Sequence, residues 1–159
     1  MARKAIQLGK GSLIAKINIK SAYRLIPVSP QDRHYLGMQW NGHVFVDGMF
    51  PFGLQSAQKI LNAVADALEW CVAREGVQEI YHYLDDFATI GPPNSDQCSW
   101  NLHTLQTVCN DLGVPLADEK QAGPATTIEF LGIIIDTIQQ ELRLPEESSI
   151  DFNPYSKHA

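Results

Sequence analysis

Tyr81-His82-Tyr83-Leu84-Asp85-Asp86-Phe87-Ala88-Thr89-Ile90 is the stretch that decides how this chain is read. Aromatic and β-branched residues flank two adjacent acids, the pattern of strand, tight turn and strand. Strands are expected over 79–84 and 87–90, with Asp85-Asp86 at the tip. Consecutive side chains on a regular strand point to opposite faces, so a turn is where neighbouring carboxylates can share one site. Hard cations such as Mg²⁺ take carboxylate oxygens and keep waters and phosphates as further ligands. Asp is also an ordinary turn residue. On the residues alone, a plain acidic turn is the stronger reading.

Upstream, Lys16-Ile17-Asn18-Ile19 alternates polar and apolar side chains as a half-buried strand does. An extended segment is expected from Ala15 to Val28, turning at Pro27-Val28-Ser29-Pro30. Segments 35–40 and 43–46 flank Asn41-Gly42, the strongest short hairpin signal, because both turn positions need φ > 0. Phe50-Pro51-Phe52-Gly53 reads as a loop. A helix is expected from Ser56 as N-cap, with Ile60, Leu61, Val64, Ala65, Leu68, Cys71 and Val72 at helical spacing and Gly76 as its stop.

Downstream, a second helix is expected from Ser95 to Leu112, with Leu102, Leu105, Val108, Cys109 and Leu112 on one face and Gly113 and Pro115 ending it. Ile128 to Ile135 reads as strand, paired with Leu142-Arg143-Leu144. From Pro145 the chain turns polar and aperiodic, a loose tail. The element order favours α+β, an antiparallel sheet with helices packed on one face, over a doubly wound parallel sheet.

The chain has 159 residues, 12 Lys+Arg, 18 Asp+Glu and a formal charge of −6, with 45% hydrophobic residues. That is the size of one domain, apolar enough for a core. The acidic balance argues against a free-standing nucleic-acid binder that works by bulk positive charge. No apolar run approaches the roughly 20 residues of a membrane span, and no long apolar stretch follows the basic start. Three cysteines without a CxxC pair argue against a disulfide framework or zinc module and point to an intracellular location. His34, His43, His82 and His103 show no metal-ligand spacing and read as structural or surface residues.

Tyr83-Leu84-Asp85-Asp86 resembles the Tyr-x-Asp-Asp signature of reverse transcriptases. Four further segments match that family in order. Residues 16–28 are similar to its first palm motif, and Phe50 to Ala57 to its second. Leu112 to Lys120 resembles the motif after the catalytic hairpin, and Phe130-Leu131-Gly132 the primer-grip region. The wording resembles retrotransposon enzymes of the LTR and DIRS-like types. The resemblance runs from about residue 12 to 144, a palm-like domain over 1–144 followed by the tail 145–159.

The resemblance implies a polymerase palm that transfers nucleotides from dNTPs to a primer on an RNA or DNA template, using two Mg²⁺ or Mn²⁺ ions. Asp85 and Asp86 would be the metal-binding carboxylates. Tyr23, Phe52 and Gly53 would face the nucleotide, and Lys120 the triphosphate. Taken singly, Tyr23 also fits the core, Gly53 a turn, and Lys120 a solvated surface. The family's first palm motif carries a metal-binding Asp where this chain has Asn18. An amide brings no negative charge, so catalysis is expected to be impaired, and a dead palm that binds nucleic acid or protein is the alternative. Gln58 stands where many relatives have Pro. Fingers, thumb and further retroelement domains are expected to be largely missing, leaving apolar surface open to self-association. No third acidic or His cluster supports a metal-dependent phosphohydrolase.

Overall fold

The computed structural model describes residues 1–145. Strand β1 (Leu13–Ile19) runs inside a four-stranded antiparallel sheet with β4 (Ile80–Tyr83), β5 (Asp86–Gly91) and β6 (Leu116–Ala125), in the order β4-β5-β1-β6. Side-chain alternation divides the work between the faces. Ala15, Ile17 and Ile19 of β1, with Phe87 of β5, pack on helices α2 (Ala57–Arg74) and α3 (Gln97–Asp111). Ile14 and Ile90 point the other way and join Ala5 of helix α1 (Ala2–Leu8), Ile128 and Ile135. The helix-side core has fifteen buried residues and the other five. At about 1.5–3 kcal/mol for each large apolar side chain fully buried, the helix side carries most of the stabilisation.

Strands β2 (Gly37–Trp40) and β3 (His43–Val46) form the expected hairpin, with Asn41 and Gly42 at φ 47° and 77°. It stands away from the main sheet, tied at its root by Val28 N–H to Gly48 O at 3.0 Å and Phe50 N–H to Ile26 O at 3.0 Å. A third sheet, β7 (Thr127–Phe130), β8 (Ile133–Asp136) and β9 (Glu141–Arg143), covers part of the face opposite α2 and α3.

Several expectations need correction. The extended segment ends at Ile19, and Ala22–Leu25 is a 3₁₀ turn entered through Ser21 at φ 51°. Residues 128–135 are two strands, because Leu131 and Gly132 adopt φ 53° and 73° and close a tight turn. Ser56 precedes α2, but its side chain makes no capping hydrogen bond. Of the expected α2 stripe, Leu61, Ala65, Leu68 and Val72 are buried while Ile60 and Val64 stay exposed. Helix α3 ends at Asp111, and Leu112, expected on its apolar face, is an exposed cap residue. Helix α1 and strand β6 were not expected. The proposed tail, beyond Pro145, lies outside the described residues. Among the described residues no helix is long and apolar enough to cross a membrane.

Candidate active site

Strands β4 and β5 pair from Ile80 with Thr89 to Tyr83 with Asp86. The connection is therefore Leu84-Asp85, and Asp86 is already the first strand residue. Leu84 adopts φ 54°, a left-handed conformation that costs a branched residue about 1–2 kcal/mol. Its side chain packs on the helix-side core, which offsets part of that cost. The turn is also stitched to the neighbouring strand, because Ile19 N–H donates to Asp85 O at 2.8 Å.

Register places Asn18 of β1 directly opposite Asp86 of β5, and opposite Ala117 of β6 on its other edge. Lys16 lies opposite Ala88, two residues along. Asn18, Lys16 and Asp86 thus share the sheet face away from α2 and α3. Asn18 Nδ2 donates a hydrogen bond to Asp86 Oδ1. The Asp86 carboxyl is pushed above its ordinary range, first by burial and then by the charge of Asp85; Lys16, the Asn18 amide and Lys120 pull it back. Between Asn18 and Lys16, two steps on β1 face five on β6, from Ala117 to Ala122. This bulge pushes Asp118, Glu119, Lys120 and Gln121 outward, leaving all four exposed.

Tyr23 and Phe52 come together in an edge-to-face pair, ring centroids 5.0 Å apart. Tyr23 is half-buried, whereas Phe52 is 79% exposed. Tyr23 follows closely on the end of β1 that holds Asn18, so the pair belongs to the same end of the sheet as the Asp85 turn. Gly53 sits at φ 87°, and a Cβ there would meet nothing within 4 Å. The backbone angle, not crowding within the chain, is what asks for glycine. His82 lies on the helix face, its Nε2 3.1 Å from Asp66 Oδ1 and 3.1 Å from Glu69 Oε2 on α2, and takes no part in the carboxylate cluster.

The donor set at the turn is two carboxylates and one amide. Among the described residues no group of three or more His, Cys, Asp or Glu side chains could hold a metal ion. Asn18 presents its N–H, not its oxygen, to Asp86 and occupies a lone pair that a cation would use. These residues do not fit a pair of divalent ions. Sequence reasoning missed Lys16, which alternation alone places beside Asn18. It also missed the Ile19 to Asp85 bond, which a sequence pattern cannot reveal.

No family model matches the chain. It is 28% identical over 129 residues to the retrovirus-related Pol polyprotein from transposon gypsy of Drosophila melanogaster, covering 80% of this chain and 12% of that protein. It is 26% identical over 131 residues to Protein P of a duck hepatitis B virus, covering 82% of the chain and 16% of that protein. The chain thus spans less than a fifth of either relative. Among solved structures, the foamy viral protease-reverse transcriptase in complex with an RNA/DNA hybrid superposes with a TM-score of 0.73 at 18% identity, over 85% of this chain and 17% of that one. A second form of that enzyme with double-stranded DNA gives 0.74 at 17% identity, over 90% of this chain and 25% of that one. The chain is thus similar in fold to part of the foamy viral protease-reverse transcriptase and in sequence to part of a gypsy Pol polyprotein and of a duck hepatitis B virus Protein P.

Proposed function

We propose that this domain is the palm of a retroelement reverse transcriptase, that it engages a primer–template, and that Asn18 impairs it as a nucleotidyltransferase. Asp85 in the β4–β5 turn and Asp86 beside it at the start of β5 support the reading, as does the Tyr23–Phe52 pair with Gly53 at the same end of the sheet. The solved neighbours hold an RNA/DNA hybrid and double-stranded DNA, the partner class proposed for this chain. The observation that carries the reading is the Asn18 amide bonded to Asp86. Phosphoryl transfer rests on positioning and on neutralising charge that develops in the transition state. A site with one carboxylate exchanged for an amide holds cations less tightly and performs that task less well.

The same observation favours a second reading, a palm that binds nucleic acid without extending it. Two assays separate the readings. Fluorescence anisotropy with a labelled RNA/DNA primer–template reads binding, and calorimetric Mn²⁺ titration reads cation affinity. Binding of the duplex, with weak Mn²⁺ affinity that Asn18→Asp strengthens, supports an impaired polymerase. Duplex binding with Mn²⁺ affinity indifferent to residue 18 supports the binding module. No duplex binding in low salt overturns both.

A further inference from the structure

Lys16 shares a sheet face with Asn18 and Asp86, two residues from Asn18 along β1 and opposite Ala88 of β5. Cover on this face of β1 thins toward the turn. Ile14 is fully buried, whereas Lys16 and Asn18 are half-buried. Among the described residues Lys16 makes no ion pair, although Lys4, Arg24 and Arg143 each meet a carboxylate. Asp86 feels the charge of Lys16, but Asp86 Oδ1 is taken by the Asn18 amide. A partly desolvated ammonium without a close counter-ion is costly, and an anionic ligand relieves that cost.

We propose that Lys16 binds a backbone phosphate of the nucleic acid directly, without a bridging divalent ion. The inference rests on the reading that the domain engages a primer–template, and it names a residue of that contact. Residue 18 is what frees the lysine. A carboxylate there would stand two residues away on the same face, close enough to serve as counter-ion to Lys16 and to repel an incoming phosphate. The Asn18 amide does neither. Since the donor set at the turn does not fit a pair of divalent ions, the positive charge that meets a phosphate has to come from the chain itself. A phosphodiester carries one charge and accepts from an ammonium without bidentate geometry, which suits lysine. Lys120 lies exposed on the β6 bulge with Asp118 and Glu119 beside it, so its charge is offset locally and screened by salt. Lys16, half-buried and without neighbouring acids on β1, is the cation that makes the contact.

Fluorescence anisotropy of the full chain with a labelled RNA/DNA primer–template, in EDTA and across a salt series, tests this. The parent is expected to bind without divalent ions. Lys16→Gln is expected to weaken binding about tenfold and to lower the slope of log K against log salt by about 0.9. Lys16→Arg keeps the charge and is expected to retain the parent slope. Asn18→Asp, which gives Lys16 a counter-ion, is expected to weaken binding in EDTA. Arg74→Gln, at the C-terminal end of α2 on the other side of the sheet, removes an exposed charge and is expected to change neither quantity. Circular dichroism of each variant checks that the fold persists. Four results would overturn the proposal while leaving the primer–template reading in place: Lys16→Gln with the parent's affinity and slope, Lys16→Arg as weak as Lys16→Gln, an equal loss in Arg74→Gln, or a parent that binds only when Mg²⁺ is added. A parent that binds no duplex under any of these conditions overturns both.

Discussion

Asn18 and Asp86 face each other across β1 and β5, and the amide of one donates to the carboxylate of the other. The Asn18 amide is therefore a contact within the cluster. Burial and the charge of Asp85 raise the proton affinity of the Asp86 carboxyl, and the Asn18 amide lowers it. The amide cannot replace an anionic ligand.

A pH dependence follows from that raised carboxyl. Where the native group binds its proton more readily than the unfolded one, the charged form opposes folding at neutral pH. Stability then rises as pH falls through the native value toward the unfolded value near 3.9. Asp86→Asn is expected to melt about 2 °C above the parent at pH 7, with the gap closing by pH 4. Thermal melts between pH 4 and 7 read this; a gap that widens on acidification would contradict it.

Gly91 ends β5 where α3 begins. A Cβ there would lie 2.5 Å from Cys98 N and 3.1 Å from Cys98 Cα, both backbone atoms that cannot step aside. Gly91→Ala is expected to cost about 2–3 kcal/mol, the usual size for overpacking. Urea unfolding at pH 7 measures it, and a loss under about 0.5 kcal/mol would show that the helix start yields freely.

Thiol chemistry reports the helix-side core. Cys98 and Cys109 are buried, and burial pushes both thiols up to about 11, whereas Cys71 is only half-buried. Thiolates are the reactive form. At pH 8 a disulfide reagent is expected to modify one thiol quickly in the native chain and three in denaturant. Two or three fast native thiols would mean that α3 opens readily.

How much of this was legible in the sequence depends on where the deciding contacts lie. The β1 alternation, the Asn41-Gly42 hairpin, and the cores of α2 and α3 follow from local period and turn chemistry, and they appear near the expected positions. Strand β6 was hidden because Leu116–Ala125 carries acids, a lysine and a Gly-Pro pair. Pairing with β1 makes it a strand despite its low propensity. The turn at Leu131-Gly132 could not be read because leucine seldom takes the left-handed angle it holds there. At the site, Asp85, Asp86 and Asn18 could be named from the sequence. Their division between turn and strand, and the amide bond, depend on register. The contact between Tyr23 and Phe52, far apart in the chain, could not be read from either segment alone.

The most direct test is primer extension on poly(rA)/oligo(dT) with Mg²⁺ or Mn²⁺, comparing the chain as it stands, Asn18→Asp, and Asn18→Asp with Asp85→Ala. Restoring a charge-stabilising group at such a site is worth roughly 10²–10³ in rate. The expected result is little or no extension by the parent, a gain of about that size in Asn18→Asp, and its loss when Asp85 is removed. Extension by the parent at the Asn18→Asp rate, lost in the variant that also carries Asp85→Ala, would contradict the claim that Asn18 impairs the palm.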